Sequence, residues 1–181
     1  NLFKDNKKII AHDESRPLIH SYYKFAKYNK INIDDAPLIT QLTKAIKSSH
    51  QKRKIAFESS SFLALHTHRI YKNFGSKFII LLRNPYDVSC ALKKKGWYKD
   101  KYEKGDQSKI IGYQGVATGF HNKHHNFCRI SPKGKYFIKW NNFHQMLKIK
   151  WYWNEIYTEI FNDLKKIKKK NYRILKIEDF D

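Results

Sequence analysis

Short apolar runs alternate along this chain with stretches of helical periodicity. Lys7-Lys-Ile-Ile-Ala-His12 and Lys54-Ile-Ala-Phe57 have strand length and strand composition. Lys77-Phe-Ile-Ile-Leu-Leu82 is the strongest strand of the chain, nearly continuous and apolar, the pattern of a strand covered on both faces. Between these runs the spacing lengthens to that of a helix. Leu18, Ile19, Tyr22, Tyr23, Phe25 and Ala26 follow the loop Asp13-Glu-Ser-Arg-Pro17, whose acidic residues, Ser and early Pro suit a helix start. Asp34-Asp35-Ala-Pro37 opens a second helix, with Leu38, Leu42, Ala45 and Ile46 on one face. Ser61 opens a third, bearing Leu63, Leu65, Ile70 and Phe74, which Gly75 ends. Asn84-Pro85 closes the strongest strand, and a helix follows over Asp87 to Lys95. Gly96 to Asn142 carries most of the glycines and reads as loops with short elements. A last helix is predicted from about Phe143 to Lys168, with Trp153, Tyr157, Ile160 and Leu164 as its core stripe, before a final strand over Arg173 to Ile177. Strands alternating with helices predict an α/β fold, a parallel sheet with helices on both faces.

The 181 residues fit one domain, and 41% hydrophobic with 15% aromatic content suffices for a core. No apolar run approaches the length of a membrane-spanning helix. Two cysteines, Cys90 and Cys128, are too few for a disulfide framework or a four-cysteine metal site, and the expectation is reduced thiols in a cytoplasmic protein. The formal charge of +21 changes the picture less than its size suggests. Only six of the 37 basic residues are Arg, and abundant Lys, Asn, Ile and Tyr together point to a compositional bias that coats the surface with Lys. The chain opens on Asn1 just before one strand and closes on Asp181 just after another, so residues 1–181 read as a single partial domain.

In a parallel α/β sheet, ligands bind beyond the carboxyl ends of the strands. Four segments occupy those places: Asp13 to Arg16, Glu58 to Ser61, Arg83 to Asp87, and Glu178-Asp179. Arg83 stands out. An arginine between a buried strand and a helix N-terminus can meet a phosphate with its guanidinium fork while the helix amides add partial positive charge. The alternative is a structural clasp between Arg83 and Asp87.

Lys77-Phe-Ile-Ile-Leu-Leu-Arg-Asn-Pro-Tyr-Asp-Val88 closely resembles the 3′-phosphate-binding motif of sulfotransferases that use 3′-phosphoadenosine 5′-phosphosulfate (PAPS). Phe57-Glu-Ser-Ser60 is similar to that family's Glu-Lys-Ser/Thr segment. Trp151 to Asn154 and Arg173-Ile-Leu-Lys-Ile-Glu-Asp-Phe180 are similar to its Trp-x-x-x-Asn helix and Tyr-Glu-Asp-Leu strand end. Asp13-Glu-Ser-Arg16 resembles the Glu-Glu-Thr-Arg segment of the tyrosylprotein branch, whose second Glu is the catalytic base. The resemblance implies a P-loop nucleotide-binding-like fold whose N-terminal P-loop strand would lie upstream of Asn1, so that residues 1–181 alone would be inactive. It implies a PAPS-dependent sulfotransferase, with PAPS as co-substrate, no metal, and an acceptor that could be a protein, a carbohydrate or a small molecule. Glu14 would be the general base, Arg16 would orient it or bind the acceptor, Arg83 would hold the 3′-phosphate, and Lys95, twelve residues on, would reach the cofactor.

The sequence departs from the family pattern at several places. Ala91 stands where a second 3′-phosphate ligand, a Ser, is usual, and Ser89 is not an obvious substitute. Ser59 replaces the Lys of Glu-Lys-Ser, Ile177 replaces the Tyr of Tyr-Glu-Asp-Leu, and Ser61 stands at the position of the catalytic His of the cytosolic branch. Two other classes compete. A basic nucleic-acid-binding module would draw on the charge and on the aromatics of Trp151 to Phe161, but their helical spacing assigns those rings to a core. A nucleotide kinase of the same sheet architecture would need a Walker-type loop. His66-Thr-His68 and His121 to His125 lack partners at metal-ligand spacing, and no metal is expected.

Overall fold

The computed structural model describes residues 6–14, 17–98, 129–133 and 135–180, apart from the side chains of Pro17, Leu18, Asn141 and Phe180. Arg16, Cys128, His121 to His125 and most of the glycine-rich middle segment lie outside the described residues. The fold is mixed α/β. Strand β1 (Ile9–Asp13) leads to helices α1 (Pro17–Asn29) and α2 (Ala36–Gln51), then to β2 (Ile55–Ser59). A 3-10 turn over Ser61–His66 and helix α3 (Thr67–Phe74) connect to β3 (Phe78–Leu82) and α4 (Pro85–Lys94). Helices α5 (Lys135–Asn141) and α6 (Gln145–Leu164) precede β4 (Tyr172–Lys176), which passes into a short 3-10 turn, Ile177–Phe180.

The described strands make two parallel pairs rather than one sheet. Ile9 lies opposite Ile55 and Asp13 opposite Ser59 in the first pair; Phe78 lies opposite Tyr172 and Leu82 opposite Lys176 in the second. Among the described residues, the second pair has one face packed into the main core. Phe78 and Ile80 pack into the main core, whereas Ile79 and Leu81 remain 48% and 46% exposed. An unbroken apolar run has the same sequence whether one face or both are covered, which is why periodicity overreached here.

Several boundaries follow from local chemistry. Gly75 takes a left-handed conformation (φ 61°) and returns its amide to the Tyr71 carbonyl, ending α3 as its lack of a Cβ permits. At the start of α2 the capping carboxylate is Asp34, whose Oδ1 accepts from the Ala36 amide at 2.8 Å, while Asp35 pairs with Arg69 at 2.9 Å. The core stripe of α6 is Ile149, Tyr152, Ile156, Ile160 and Leu164. Ile160 and Leu164 are therefore as expected, but Trp153 and Tyr157 are only half-buried, because before Ile160 the buried face runs through Ile149, Tyr152 and Ile156. Full burial of each such side chain contributes about 1.5–3 kcal/mol.

Helix α6 also ties the two halves together. Lys24 on α1 is 1% exposed, and its Nζ donates to the Tyr152 hydroxyl at 2.8 Å, with the Phe62 ring centroid 4.7 Å away. The Tyr28 hydroxyl donates to Glu155 Oε1 at 2.8 Å, and the His68 amide to Asp163 Oδ2 at 3.1 Å. The same helix thus reaches α1 and α3 on one side, and through the Tyr157 hydroxyl and the Leu81 carbonyl it reaches β3 on the other.

Candidate functional site

The first strand-end cluster forms where β1 leaves its pairing with β2. Glu14, the next residue after β1, adopts φ 45°, the left-handed region that a side chain with a Cβ enters at a cost of about 1–2 kcal/mol. Two contacts hold it there. The Glu14 amide donates to the Ser59 carbonyl at 2.8 Å, and Glu14 Oε1 accepts from Ser61 Oγ at 2.9 Å. The neighbouring Ser60 keeps its Oγ buried with no hydrogen-bond partner among the described residues. Glu58 lies half-buried inside β2, opposite His12, as a strand residue. A carboxylate held in one rotamer by a hydroxyl is equipped to accept a proton from a nearby nucleophile.

The second cluster lies at the ends of β3 and β4. Arg83 is exposed directly after β3. Asn84 caps α4, its Oδ1 accepting from the Tyr86 amide at 2.8 Å, and Pro85 occupies the first helical turn, where its missing N–H costs nothing. The Asn84 amide itself donates to Glu178 Oε1 at 2.6 Å. Hydrogen bonds from the Glu178 and Asn84 amides, and then the charges of Arg83 and Lys176, hold the Glu178 carboxyl below the ordinary carboxylate range. From behind, the Tyr157 hydroxyl donates to the Leu81 carbonyl at 2.6 Å; burial chiefly, with Tyr152 and Glu178 adding, raises its pKa. The clasp between Arg83 and Asp87 is not formed among the described residues. An arginine beside a capped helix N-terminus can hold an anion.

The remaining sequence candidates separate from these clusters. Lys95 terminates α4 and is exposed at the opposite end of a helix about 15 Å long, so it is not beside Arg83. Ser89 is fully buried and its Oγ donates to the Pro85 carbonyl at 2.6 Å, which directs it along its own helix. Ala91 is half-buried on α4, Ser59 is exposed at the end of β2, and Ile177 is 39% exposed. No contact joins Glu14 to Arg83 among the described residues.

Ser61 as the partner of Glu14, and Glu178 as the acceptor for the Asn84 amide, were not identified from sequence. Their strand-end positions were the available signal; the pairings span 47 and 94 residues.

Among the histidines, His66 is buried edge-on to Tyr23, with ring centroids 6.4 Å apart. Burial lowers its pKa, partly opposed by a hydrogen bond with the Tyr23 backbone. The described residues contain no group of three or more His, Cys, Asp or Glu arranged to hold a metal ion, and no described helix is long and apolar enough to cross a membrane. Comparison with protein-family models, curated proteins and solved structures finds no match to this chain.

Proposed function

We propose that the chain is part of a PAPS-dependent sulfotransferase of P-loop-like fold, which moves a sulfuryl group to an acceptor hydroxyl or amine. The hydrogen bond between Glu14 and Ser61 carries this reading. In the family the sequence resembles, one branch draws its base from the position matching Glu14 and another from the position matching Ser61. Those positions are 47 residues apart in the chain, and their side chains meet at 2.9 Å. The parallel pairing of β1 with β2 brings these two strand ends together, and in this reading both positions line one acceptor site.

PAPS supplies an activated sulfuryl group and a good leaving group. Glu14 takes the acceptor's proton as the acceptor oxygen or nitrogen bonds to sulfur and the sulfur–oxygen bond to adenosine 3′,5′-bisphosphate breaks. The Ser61 hydroxyl fixes the carboxylate, and the left-handed backbone at Glu14 turns it out of the β1–β2 ladder. Arg83 reads the 3′-phosphate at the head of α4, where its guanidinium fork and the partial positive charge of the helix N-terminus both favour an anion. Arg16 and Lys95 keep smaller roles in this proposal: Arg16 follows Glu14 closely in sequence, and Lys95 is a surface cation at the far end of α4.

Incubating the full-length protein with PAPS and an acceptor panel of tyrosine peptides, oligosaccharides and small phenols tests the reading. The expected product is adenosine 3′,5′-bisphosphate, formed in proportion to acceptor. Binding of PAPS and of adenosine 5′-phosphosulfate with equal affinity, without acceptor-dependent turnover, would contradict it.

A further inference from the structure

The acidic side chain that bonds the Arg83 turn from β4's end has no part in the chemistry above. Glu178 sits just past β4, and the pairing of Leu82 with Lys176 carries it alongside Asn84. Its Oε1 accepts from the Asn84 amide at 2.6 Å, a contact spanning 94 residues. Asn84 in turn caps α4 through its own Oδ1, so the two amides that open the turn are both committed to side-chain oxygens, that of Asn84 to the Glu178 carboxylate and that of Tyr86 to the Asn84 carboxamide. Arg83, exposed just after β3, is then a cation standing within electrostatic reach of a hydrogen-bonded carboxylate.

We propose that Glu178 is a positioning residue for the phosphate-reading turn, holding the Asn84 amide in place while its charge limits how tightly Arg83 binds a phosphate. The inference rests on the sulfotransferase reading. It has a functional logic, because a nucleotide bisphosphate must leave after each turnover and a guanidinium with a partial counter-anion releases it faster. The groups facing Glu178 fit this role: Arg83 and Lys176 supply positive charge, and Tyr157 supports the end of β3 from α6.

Two substitutions separate the functions. Glu178→Gln keeps an oxygen acceptor for the Asn84 amide and removes the charge; Glu178→Ala removes both. Calorimetry on the full-length protein with adenosine 3′,5′-bisphosphate should show Glu178→Gln binding about two- to five-fold tighter than wild type, the range of an exposed charge–charge effect. That gain should shrink as salt is raised. Glu178→Ala should bind several-fold more weakly than Glu178→Gln, and its Asn84 amide should exchange with solvent faster, whereas Glu178→Gln keeps that protection. Adenosine 5′-phosphosulfate, which lacks the 3′-phosphate, should report neither change. Equal affinities for wild type and Glu178→Gln, or for Glu178→Gln and Glu178→Ala, would overturn the proposal while Arg83→Ala still weakened the bisphosphate. If Arg83→Ala also had no effect, the sulfotransferase reading would fail and this inference with it.

Discussion

The two strand-end clusters are built by opposite means. At the end of β1, a strained residue is held by side-chain and backbone contacts from the β2 end: Glu14 sits in a left-handed conformation and depends on Ser61 and the Ser59 carbonyl. At the end of β3, the backbone is relaxed and self-sufficient, since Asn84 caps its own helix and Pro85 is already suited to the first turn. Contacts from outside add to this local motif: Glu178 accepts from the Asn84 amide, and the Tyr157 hydroxyl donates to the Leu81 carbonyl. The first arrangement suits a group that must be aimed precisely at a reacting atom. The second suits a docking point, where a robust local motif presents a cation to an anion. In the proposed reaction the separate demands of positioning and of anion binding would fall to different clusters, a carboxylate at one and a guanidinium at the other.

The sharpest way to break this comparison is Glu14→Gln. The substitution keeps the shape and the Ser61 contact but removes the basicity. Turnover should fall by about 10²–10⁴-fold while nucleotide affinity stays near wild type. If Glu14 served only the strand end, turnover per folded molecule would be unchanged and the melting temperature alone would drop.

A second substitution tests how the two regions are held to a common frame. Tyr152→Phe removes the acceptor for the buried Lys24 ammonium. Leaving a buried donor unsatisfied costs about 1–3 kcal/mol, so chemical denaturation should show a loss of that size. Combining it with Lys24→Met should recover much of the loss, because a packed apolar pair needs no partner. Recovery of nothing would mean the damage lies in the packing of the Tyr152 ring.

A smaller effect distinguishes the regions by pH. His66 belongs to the 3-10 turn after Ser61, on the Glu14 side, and burial lowers its pKa below the ordinary value near 6.5. The unfolded chain therefore takes up a proton that the folded protein refuses. Stability is retained above about pH 6.5 and declines below it, by at most about 1.4 kcal/mol per pH unit, until the lowered folded-state pKa is reached. Denaturation curves between pH 7.5 and 5.5 should show this slope reduced in His66→Gln. An unchanged slope would place the acid sensitivity elsewhere.

Much of the framework was legible because the signals were local. The strand lengths, the Pro and Asp at the start of α2, the stop at Gly75 and the Arg83-Asn84-Pro85 turn all depend on residues a few positions apart. What escaped sequence reading was non-local or a matter of degree. Nothing in the chain announces that Ser61 will meet Glu14, or that Glu178 will reach the Asn84 amide, since sheet pairing sets both. The buried face of the first half of α6 and the exposure of Ile79 and Leu81 on β3 were missed for a related reason. Apolar residues adjoin one another in both elements, so several faces satisfy the pattern and tertiary packing selects among them.

The central claim is that Arg83 reads a 3′-phosphate, and nucleotide discrimination tests it most directly. Titrating the full-length protein and its Arg83→Ala variant with adenosine 3′,5′-bisphosphate and with adenosine 5′-phosphosulfate gives four affinities. The account predicts that Arg83→Ala weakens the bisphosphate by about 1.5–3 kcal/mol, the scale of hydrogen bonds to a charged group, and leaves the ligand without a 3′-phosphate nearly unchanged. Equal losses for both nucleotides would contradict the account and make Arg83 a residue of the fold.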